Sequence, residues 1–211
     1  MNFIAKNLEE YVANHSEQEP ILLQELARET HLKVLQPRML SGAYQGRLLA
    51  MLSKLIAPKQ VLEIGTFTGY SALCLSEGLH VNGHINTIDI NEELSDMQQK
   101  YFKAAGVADQ ITQHLGNASE LIPKIEGDFD LVFIDADKEQ YPLYFDLIVD
   151  RVSSGGLIIA DNVLWSGKVL EEADDEATKA LKIFNKKVVD DTRVDPLLLH
   201  IRDGLTLLRK R

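Results

Sequence analysis

The sequence QVLEIGTFTGYSALCLSEGL, residues 60–79, contains a short apolar run, a turn with two glycines and then a helical pattern. A short apolar run bounded by glycine is typical of a strand buried on both faces. A strand-like run followed by a helical pattern recurs along most of the remaining chain. This alternation of strand and helix predicts parallel strands joined by right-handed helical crossovers. The predicted strands are QVLEIG (60–65), HINTIDI (84–90), ITQHL (111–115), DLVFIDA (130–136), GLIIAD (156–161), PLLLHIR (196–202) and GLTLLRK (204–210).

The last two predicted strands are so close together that they form a hairpin. A hairpin places one antiparallel strand in an otherwise parallel sheet. The sequence therefore predicts an α/β fold with a seven-stranded, mostly parallel sheet, a C-terminal antiparallel hairpin strand and helices on both faces.

The first 57 residues predict helices only. A chain of 211 residues fits one domain. We therefore expect a single domain, 1–211, in which an N-terminal helical cap (1–57) covers an α/β core (58–211). One predicted cap helix, YQGRLLAMLSKLIA (44–57), has an apolar face that we expect to be buried, formed by Leu48, Leu49, Met51, Leu52, Leu55 and Ile56.

Composition limits the classes of partner. The net charge of −10 is opposite in sign to a general nucleic-acid-binding surface. No apolar run approaches the ~20 residues of a membrane span, and no apolar signal core precedes the first helix. The single Cys74 cannot form an internal disulfide, which suits a reducing compartment. We expect a cytoplasmic protein without membrane or nucleic-acid partners, in which the acidic segment EEADDEA (171–177) is a solvated loop or helix start.

Ligands of open α/β sheets bind beyond the carboxyl ends of the strands. Glu63, Gly65 and Gly69 lie in the stretch EIGTFTGYS, which follows the first predicted strand and leads into a helix. The two glycines form a G-x-x-x-G turn, which lacks the G-x-G-x-x-G pattern of dinucleotide sites. Asp89 ends the second strand, where a carboxylate can accept hydrogen bonds from a ribose. Together these residues favour an adenosine-containing, cationic cofactor over NAD. The alternatives are a tight turn without a ligand and a helix cap at Asp89.

After the third strand comes GNASE, 116–120. Its small and polar residues are suited to the edge of an adenine, and Asn117 or Ser119 is equally suited to cap the next helix.

Acidic and amide side chains end the fourth and fifth strands: Asp135, then Asp161 and Asn162. If the strands are neighbours, two carboxylates and one amide oxygen converge. Such an all-oxygen set favours Mg²⁺, Mn²⁺ or Ca²⁺ over zinc. The alternative for each motif is a turn or cap residue.

Lys138 lies three residues beyond Asp135, where it can accept a proton from a substrate hydroxyl. The alternative is a surface lysine in a first helical turn, which is an unfavourable place for a cation. Trp165, the only tryptophan, is predicted either to form a wall for a flat substrate or to fill the core.

Four stretches, VLEIGTFTGYSALCLS, TIDIN, DLVFIDADKEQY and GLIIADNVLWSGKV, resemble the cation-dependent O-methyltransferases, which include the catechol and caffeoyl-CoA enzymes and their bacterial relatives. The resemblance extends from about Arg38 to the C-terminus. It implies a Rossmann-like class I methyltransferase fold, S-adenosylmethionine as methyl donor, a divalent cation (Mg²⁺, with Mn²⁺ or Ca²⁺ as alternatives) and a phenolic small-molecule acceptor with adjacent hydroxyl groups.

The resemblance also implies roles for individual residues. Glu63 and Gly65 would hold the methionine end of the cofactor, Asp89 the ribose, and Ala118 the adenine. Asp135 would contact the cofactor, bind the metal and take part in catalysis, and Lys138 would be the base that accepts the proton of the substrate. Asp161 and Asn162 would complete the metal site, and Ser41 and Ser71 match positions that often touch the cofactor carboxylate. Asn117 stands where bacterial relatives usually carry aspartate.

Members of this family commonly form dimers, so a homodimer is expected. Three alternative functions remain open at this point: a tRNA hydroxyl methyltransferase of the same fold, an NAD-binding oxidoreductase, and a non-catalytic binding protein. The acceptor and its regiochemistry depend on the N-terminal helices and on the loop after Trp165.

Overall fold

The computed structural model describes residues 6–172 and 175–211. Residues 173 and 174 of the predicted acidic loop lie outside that range. The strands are β1 (Gln60–Ile64), β2 (His84–Asp89), β3 (Ile111–Leu115), β4 (Phe129–Ile134), β5 (Val152–Asp161), β6 (Val194–Leu199) and β7 (Leu205–Lys210). The helices are α1 (Lys6–Asn14), α2 (Ile21–Lys33), α3 (Ala43–Ile56), α4 (Tyr70–Ser76), α5 (Ser95–Ala104), α6 (Ala118–Leu121), α7 (Tyr141–Ile148) and α8 (Glu176–Asp190).

The strands form one seven-stranded sheet in the order β3-β2-β1-β4-β5-β7-β6. Strand β7 runs antiparallel to both of its neighbours, and the other strand pairs are parallel. The predicted fold class is confirmed. The chain moves outward from β1 to β2 and β3, then returns to place β4 on the other side of β1. The crevice between β1 and β4 is therefore the switch point at which such sheets bind ligands.

Alternate residues of each strand face opposite sides of the sheet. Leu62 and Ile64 of β1 pack in a core with α7 and α8, whereas Val61 packs in a second core with α3, α4 and α5. Two buried cores, one on each face of the sheet, explain why the central strands β1, β4 and β5 carry apolar residues on both faces. Pro142 occupies the first turn of α7, where a proline interrupts no helical hydrogen bond.

The helices α1, α2 and α3 precede β1, so the predicted boundary at residues 57 and 58 falls between α3 and β1. The assignment of the whole chain to a single domain stays a prediction. Within the described ranges, no helix is long and apolar enough to cross a membrane. The cytoplasmic location stays a prediction.

The predicted apolar face of α3 is wrong in part. Leu49 is buried as expected, but Met51 is 54% and Leu55 77% exposed. The buried side of α3 instead consists of Gln45, Gly46, Arg47, Leu49, Ala50 and Ser53.

Close packing of α3 against α4 explains this difference. A Cβ atom on Gly46 would lie 2.8 Å from the Tyr70 ring and 2.9 Å from the Cys74 sulfur. Ser53 donates from its hydroxyl to the Leu75 carbonyl at 2.6 Å. Because the two backbones approach so closely, small residues occupy the contact and larger apolar residues of α3 remain outside. Cys74 is completely buried in this contact.

Candidate active site

A cavity of about 1790 Å³ opens at the carboxyl ends of the parallel strands. It brings together nearly all of the residues that the sequence predicted for the site. Those that line it are Ser41, Gly65, Ser71, Asp89, Ala118, Asp135, Lys138, Asp161 and Asn162, with Asn117 and Trp165. Glu63 is the exception. The position of these residues is now given by the structure, whereas their individual ligand contacts stay predictions.

The glycine turn lies against the end of β4. Gly65 has φ of 101°, and a Cβ atom at this position would lie 2.0 Å from the Asp135 carbonyl oxygen. Gly69 has φ of 89° and lies against the Phe102 ring. Both positions need glycine, because other residues rarely adopt this conformation and because a side chain would collide with its neighbours. The turn thus allows β1 and β4 to end side by side at the cavity.

Glu63 lies behind the cavity wall and is fully buried. Its Oε2 accepts a hydrogen bond from the Thr87 hydroxyl at 2.5 Å. Its Oε1 makes no hydrogen bond with a described residue, although the Ser71 hydroxyl is near enough to lower the pKa of the carboxyl. Burial has the larger effect and raises the pKa of Glu63 to about 8. A buried oxygen without a donor suits a hydrogen-bond donor of a ligand, and the predicted contact with the cofactor stays a prediction.

Asp89 braces the glycine turn. Its carboxylate accepts hydrogen bonds from the amides of Phe67 at 2.6 Å and Asn91 at 2.8 Å. The alternative role as a helix cap falls to Asn91, whose side chain accepts from the Glu93 amide at 3.0 Å. Asp89 therefore lines the cavity with a fixed orientation, which suits a ribose ligand.

The segment after β3 combines both predicted roles. Asn117 caps α6, since its side-chain oxygen accepts from the Ser119 amide at 2.9 Å. Ala118, the first residue of α6, is buried and lines the cavity. The cap is an observed feature of the fold, and the adenine contact is still a prediction.

Asp135 and Asp161 lie side by side. Ile134 and Ala160 are paired in the parallel register of β4 and β5, so the residues that follow them leave neighbouring strands about 4.8 Å apart. Burial, and then the charge of Asp135, raise the pKa of Asp161 to about 6. Two carboxylates held this closely repel each other, and a divalent cation between them would relieve the repulsion.

Asn162 follows directly, with φ of 60°. Its backbone amide donates to Asp161 Oδ1 at 2.7 Å. The second oxygen, Oδ2, accepts from Gln45 Nε2 at 2.5 Å. Sequence reasoning missed Gln45, because no local pattern connects a polar residue of the helical cap with the end of β5.

The donor set fits a hard cation. It offers two carboxylates and one amide oxygen, which are ligands of Mg²⁺ or Mn²⁺ type and leave positions for substrate oxygens. Among residues 6–172 and 175–211, no cluster of three or more His, Cys, Asp or Glu side chains could hold a metal. The proposed set contains only two such residues, so it depends on the amide of Asn162 as third ligand.

Lys138 is only 8% exposed. Its ammonium donates to Asp135 Oδ1 at 2.8 Å and to the Tyr141 hydroxyl at 2.7 Å. The alternative of a surface lysine is wrong. Tyr141 was also missed by sequence reasoning: its hydroxyl bonds with the carbonyl oxygens of Ile134 at 3.2 Å and Asp161 at 2.9 Å, and so connects the ends of both strands.

Trp165 combines the two roles that the sequence left open. It lines the cavity and also packs against the core on the α7 and α8 side of the sheet. Its indole nitrogen is buried and makes no hydrogen bond with the part of the chain that the structure describes.

Comparison with known proteins agrees with this geometry. Residues 13–211 match the O-methyltransferase family. The chain belongs to that family. The predicted resemblance is confirmed, and this O-methyltransferase is an enzyme of the class I, S-adenosylmethionine-dependent kind.

Three relatives illustrate the match. A caffeoyl-CoA O-methyltransferase of Petroselinum crispum is 37% identical to this O-methyltransferase over 205 residues, which cover 91% of this chain and 85% of the relative. The SAH-bound methyltransferase PaMTH1 of Podospora anserina is 30% identical, with a TM-score of 0.88 and coverage of 97% of this chain and 94% of that one. TomG of Streptomyces achromogenes, an O-methyltransferase in complex with SAM that is involved in tomaymycin synthesis, is 27% identical, with a TM-score of 0.90 and coverage of 97% and 96%.

Proposed function

We propose that this O-methyltransferase transfers a methyl group from S-adenosylmethionine to a hydroxyl of a catechol-type small molecule, or of its CoA ester, with the help of a divalent cation. The observation that carries the proposal is the pair of neighbouring carboxylates, Asp135 and Asp161, beside the buried Lys138. Relatives named for caffeoyl-CoA, and solved structures bound to SAM or SAH, support the acceptor class and the methyl donor.

The cavity offers complementary surfaces to the donor. The glycine turn exposes backbone at Gly65, Asp89 presents a carboxylate to the ribose, and Ala118 presents a small apolar surface to the adenine. Ser41 and Ser71 are available to the cofactor carboxylate, and Glu63 lies behind them as a buried acceptor for the ammonium. S-adenosylmethionine, when bound, supplies the methyl group.

Asp135, Asp161 and Asn162 would hold the cation, which when bound supplies Lewis acidity that makes an adjacent hydroxyl a stronger acid. Lys138 takes the proton of that hydroxyl as a free amine. Its ammonium must therefore first release a proton to solvent, and its ion pair with Asp135 must open. The acceptor oxygen forms a bond with the methyl carbon while the carbon–sulfur bond breaks and its electron pair stays on sulfur. Orientation of the two reactants supplies much of the acceleration.

A methyl-transfer assay over a panel of acceptors tests the proposal. The panel contains a catechol, a caffeoyl thioester, a monophenol and tRNA, each with EDTA and with added Mg²⁺ or Mn²⁺. We expect activity to vanish in EDTA, to return with the cation, and to favour acceptors with adjacent hydroxyls, because one oxygen cannot chelate.

Asp161→Ala should abolish activity, whereas Asp128→Ala, at an exposed position just before β4, should keep both activity and cation dependence. A monophenol methylated at full rate in EDTA would remove the metal from the proposal. Methylation of tRNA alone would favour the nucleic-acid alternative, against which the net charge of −10 argues.

A further inference from the structure

We propose that Gln45, itself held by Arg202, is a positioning residue that fixes the Asp161 carboxylate for a divalent cation. The inference rests on the proposed metal site and goes beyond it, because it assigns a function to two residues that do not belong to the ligand set. The contacts of Gln45 with Asp161 and Arg202 also connect the helical cap and the C-terminal hairpin to the cation site.

The first step is the contact with Asp161. Gln45 is completely buried, and its Nε2 donates to Asp161 Oδ2 at 2.5 Å, across 116 residues of sequence. The other carboxylate oxygen accepts from the Asn162 amide at 2.7 Å. Each oxygen of Asp161 therefore has one donor, which leaves its remaining lone pairs in a fixed direction. Such outer contacts orient metal ligands and are commonly needed for full affinity.

The second step is the orientation of Gln45. A glutamine amide can present either its oxygen or its nitrogen to a neighbour. Arg202 Nη1, which can only donate, lies 3.3 Å from Gln45 Oε1. The oxygen of the amide thus faces the guanidinium, and the nitrogen faces the carboxylate. Arg202 in this way selects the one orientation of Gln45 in which a donor faces Asp161.

The third step is the anchoring of Arg202. It lies in the turn between β6 and β7 with φ of 50°, a backbone conformation that residues other than glycine seldom adopt. Its guanidinium also donates to the carbonyl oxygens of Ser41 and, at 3.2 Å, Leu40. Arg202 therefore connects the segment just before α3 to the hairpin. Gln45 lies in the first turn of α3, which follows that segment.

The test measures Mn²⁺ binding by isothermal titration calorimetry, without acceptor, and S-adenosylhomocysteine binding and thermal unfolding in parallel. Gln45→Met removes both hydrogen bonds at similar side-chain length. We expect Mn²⁺ affinity to fall roughly 10- to 100-fold, as for other contacts that orient metal ligands, with the S-adenosylhomocysteine affinity unchanged. Gln113→Met on β3, at the far edge of the sheet, is the matched control and should bind Mn²⁺ as the wild type does.

Arg202 also acts on the Asp161 carboxylate directly, because its positive charge lies near enough to interact with it. Arg202→Lys keeps that charge and loses the guanidinium contact with Gln45. This variant should weaken Mn²⁺ binding by a smaller factor, and it keeps the inference testable if Gln45→Met does not fold. The double variant Gln45→Met/Arg202→Lys should bind no more weakly than Gln45→Met alone. Additive effects would overturn the action of Arg202 through Gln45, and unchanged Mn²⁺ affinity in folded Gln45→Met or Arg202→Lys would overturn the inference while leaving the metal site intact. A wild-type protein that binds no Mn²⁺ would remove the proposed metal site and this inference with it.

Discussion

At the scale of single residues, the protonation of Glu63 links the candidate site to the stability of the fold. Below its ordinary pKa of 4.5 the carboxyl is protonated in the folded and the unfolded chain alike. Between 4.5 and about 8 the unfolded chain loses this proton, and the folded chain keeps it because the site is buried. The unfolded state binds fewer protons in this range, so the free energy of unfolding falls as the pH rises.

Glu63→Gln should therefore flatten the pH dependence of stability. One pKa unit corresponds to about 1.4 kcal/mol, so the contribution of Glu63 amounts to a few kcal/mol at most. The measurement is urea unfolding of wild type and variant at pH 5 and pH 8. The pKa of Asp161 is raised as well and contributes with the same sign in both proteins, so the difference between the two slopes reports Glu63. Equal slopes would show that Glu63 does not hold its proton in the folded state.

Lys138→Met should reduce kcat on the order of 10²-fold or more, because the proton of the acceptor hydroxyl loses its base. The affinity for S-adenosylhomocysteine should change little. Lys187→Met provides a matched control, since Lys187 is also partly buried and ion-paired, with Asp146 at 2.6 Å, on α8 away from the cavity. Near-normal kcat in Lys138→Met would leave this lysine with the role of neutralising Asp135 only.

At the scale of elements, the glycine turn between β1 and α4 allows β1 and β4 to end side by side and so shapes the cavity. Gly65→Ala would place a methyl group 2.0 Å from the Asp135 carbonyl oxygen and would force φ of 101° on alanine. We expect loss of S-adenosylhomocysteine binding and a destabilisation of a few kcal/mol.

Gly106→Ala is the comparison for Gly65→Ala, because Gly106 also has positive φ, 72°, but has no atom within 4 Å of an added Cβ. It should show only the smaller cost of backbone strain and retain cofactor binding. Calorimetry and thermal unfolding of both variants separate the two effects. If both glycine variants lose the same stability and still bind S-adenosylhomocysteine, the close approach of the turn to Asp135 is not needed for cofactor binding.

The strands and the site residues at their ends could be predicted, because a strand buried on both faces has a continuous apolar sequence and because parallel strands end at one edge. The buried face of α3 could not be predicted from the sequence. Its contact with α4 is built from Gly46 and Ser53, which carry little hydrophobic signal, and the exposed Met51 and Leu55 carry a strong one. Likewise Gln45 reaches Asp161 across 116 residues, and no pattern along the chain specifies a contact of that kind.

At the scale of the whole molecule, the expected homodimer remains a prediction. Light scattering coupled to gel filtration should give about twice the chain mass of 23.7 kDa. The same experiment at raised salt separates apolar association, which persists, from charge-driven association, which salt screens. A mass of one chain at micromolar concentration would contradict the prediction.

The close contact between α3 and α4 also makes the opening of the protein measurable through the labelling rate of a buried thiol. Cys74 is the single thiol of the chain, it lies wholly inside this contact, and burial raises its pKa to about 12. A thiolate is the form that alkylating reagents attack, so a folded molecule is nearly inert to iodoacetamide. Each alkylation event therefore records a moment when Cys74 has become exposed, either because α3 has separated from α4 or because the fold has opened more widely. Labelling that is faster than global unfolding would report the separation of the two helices.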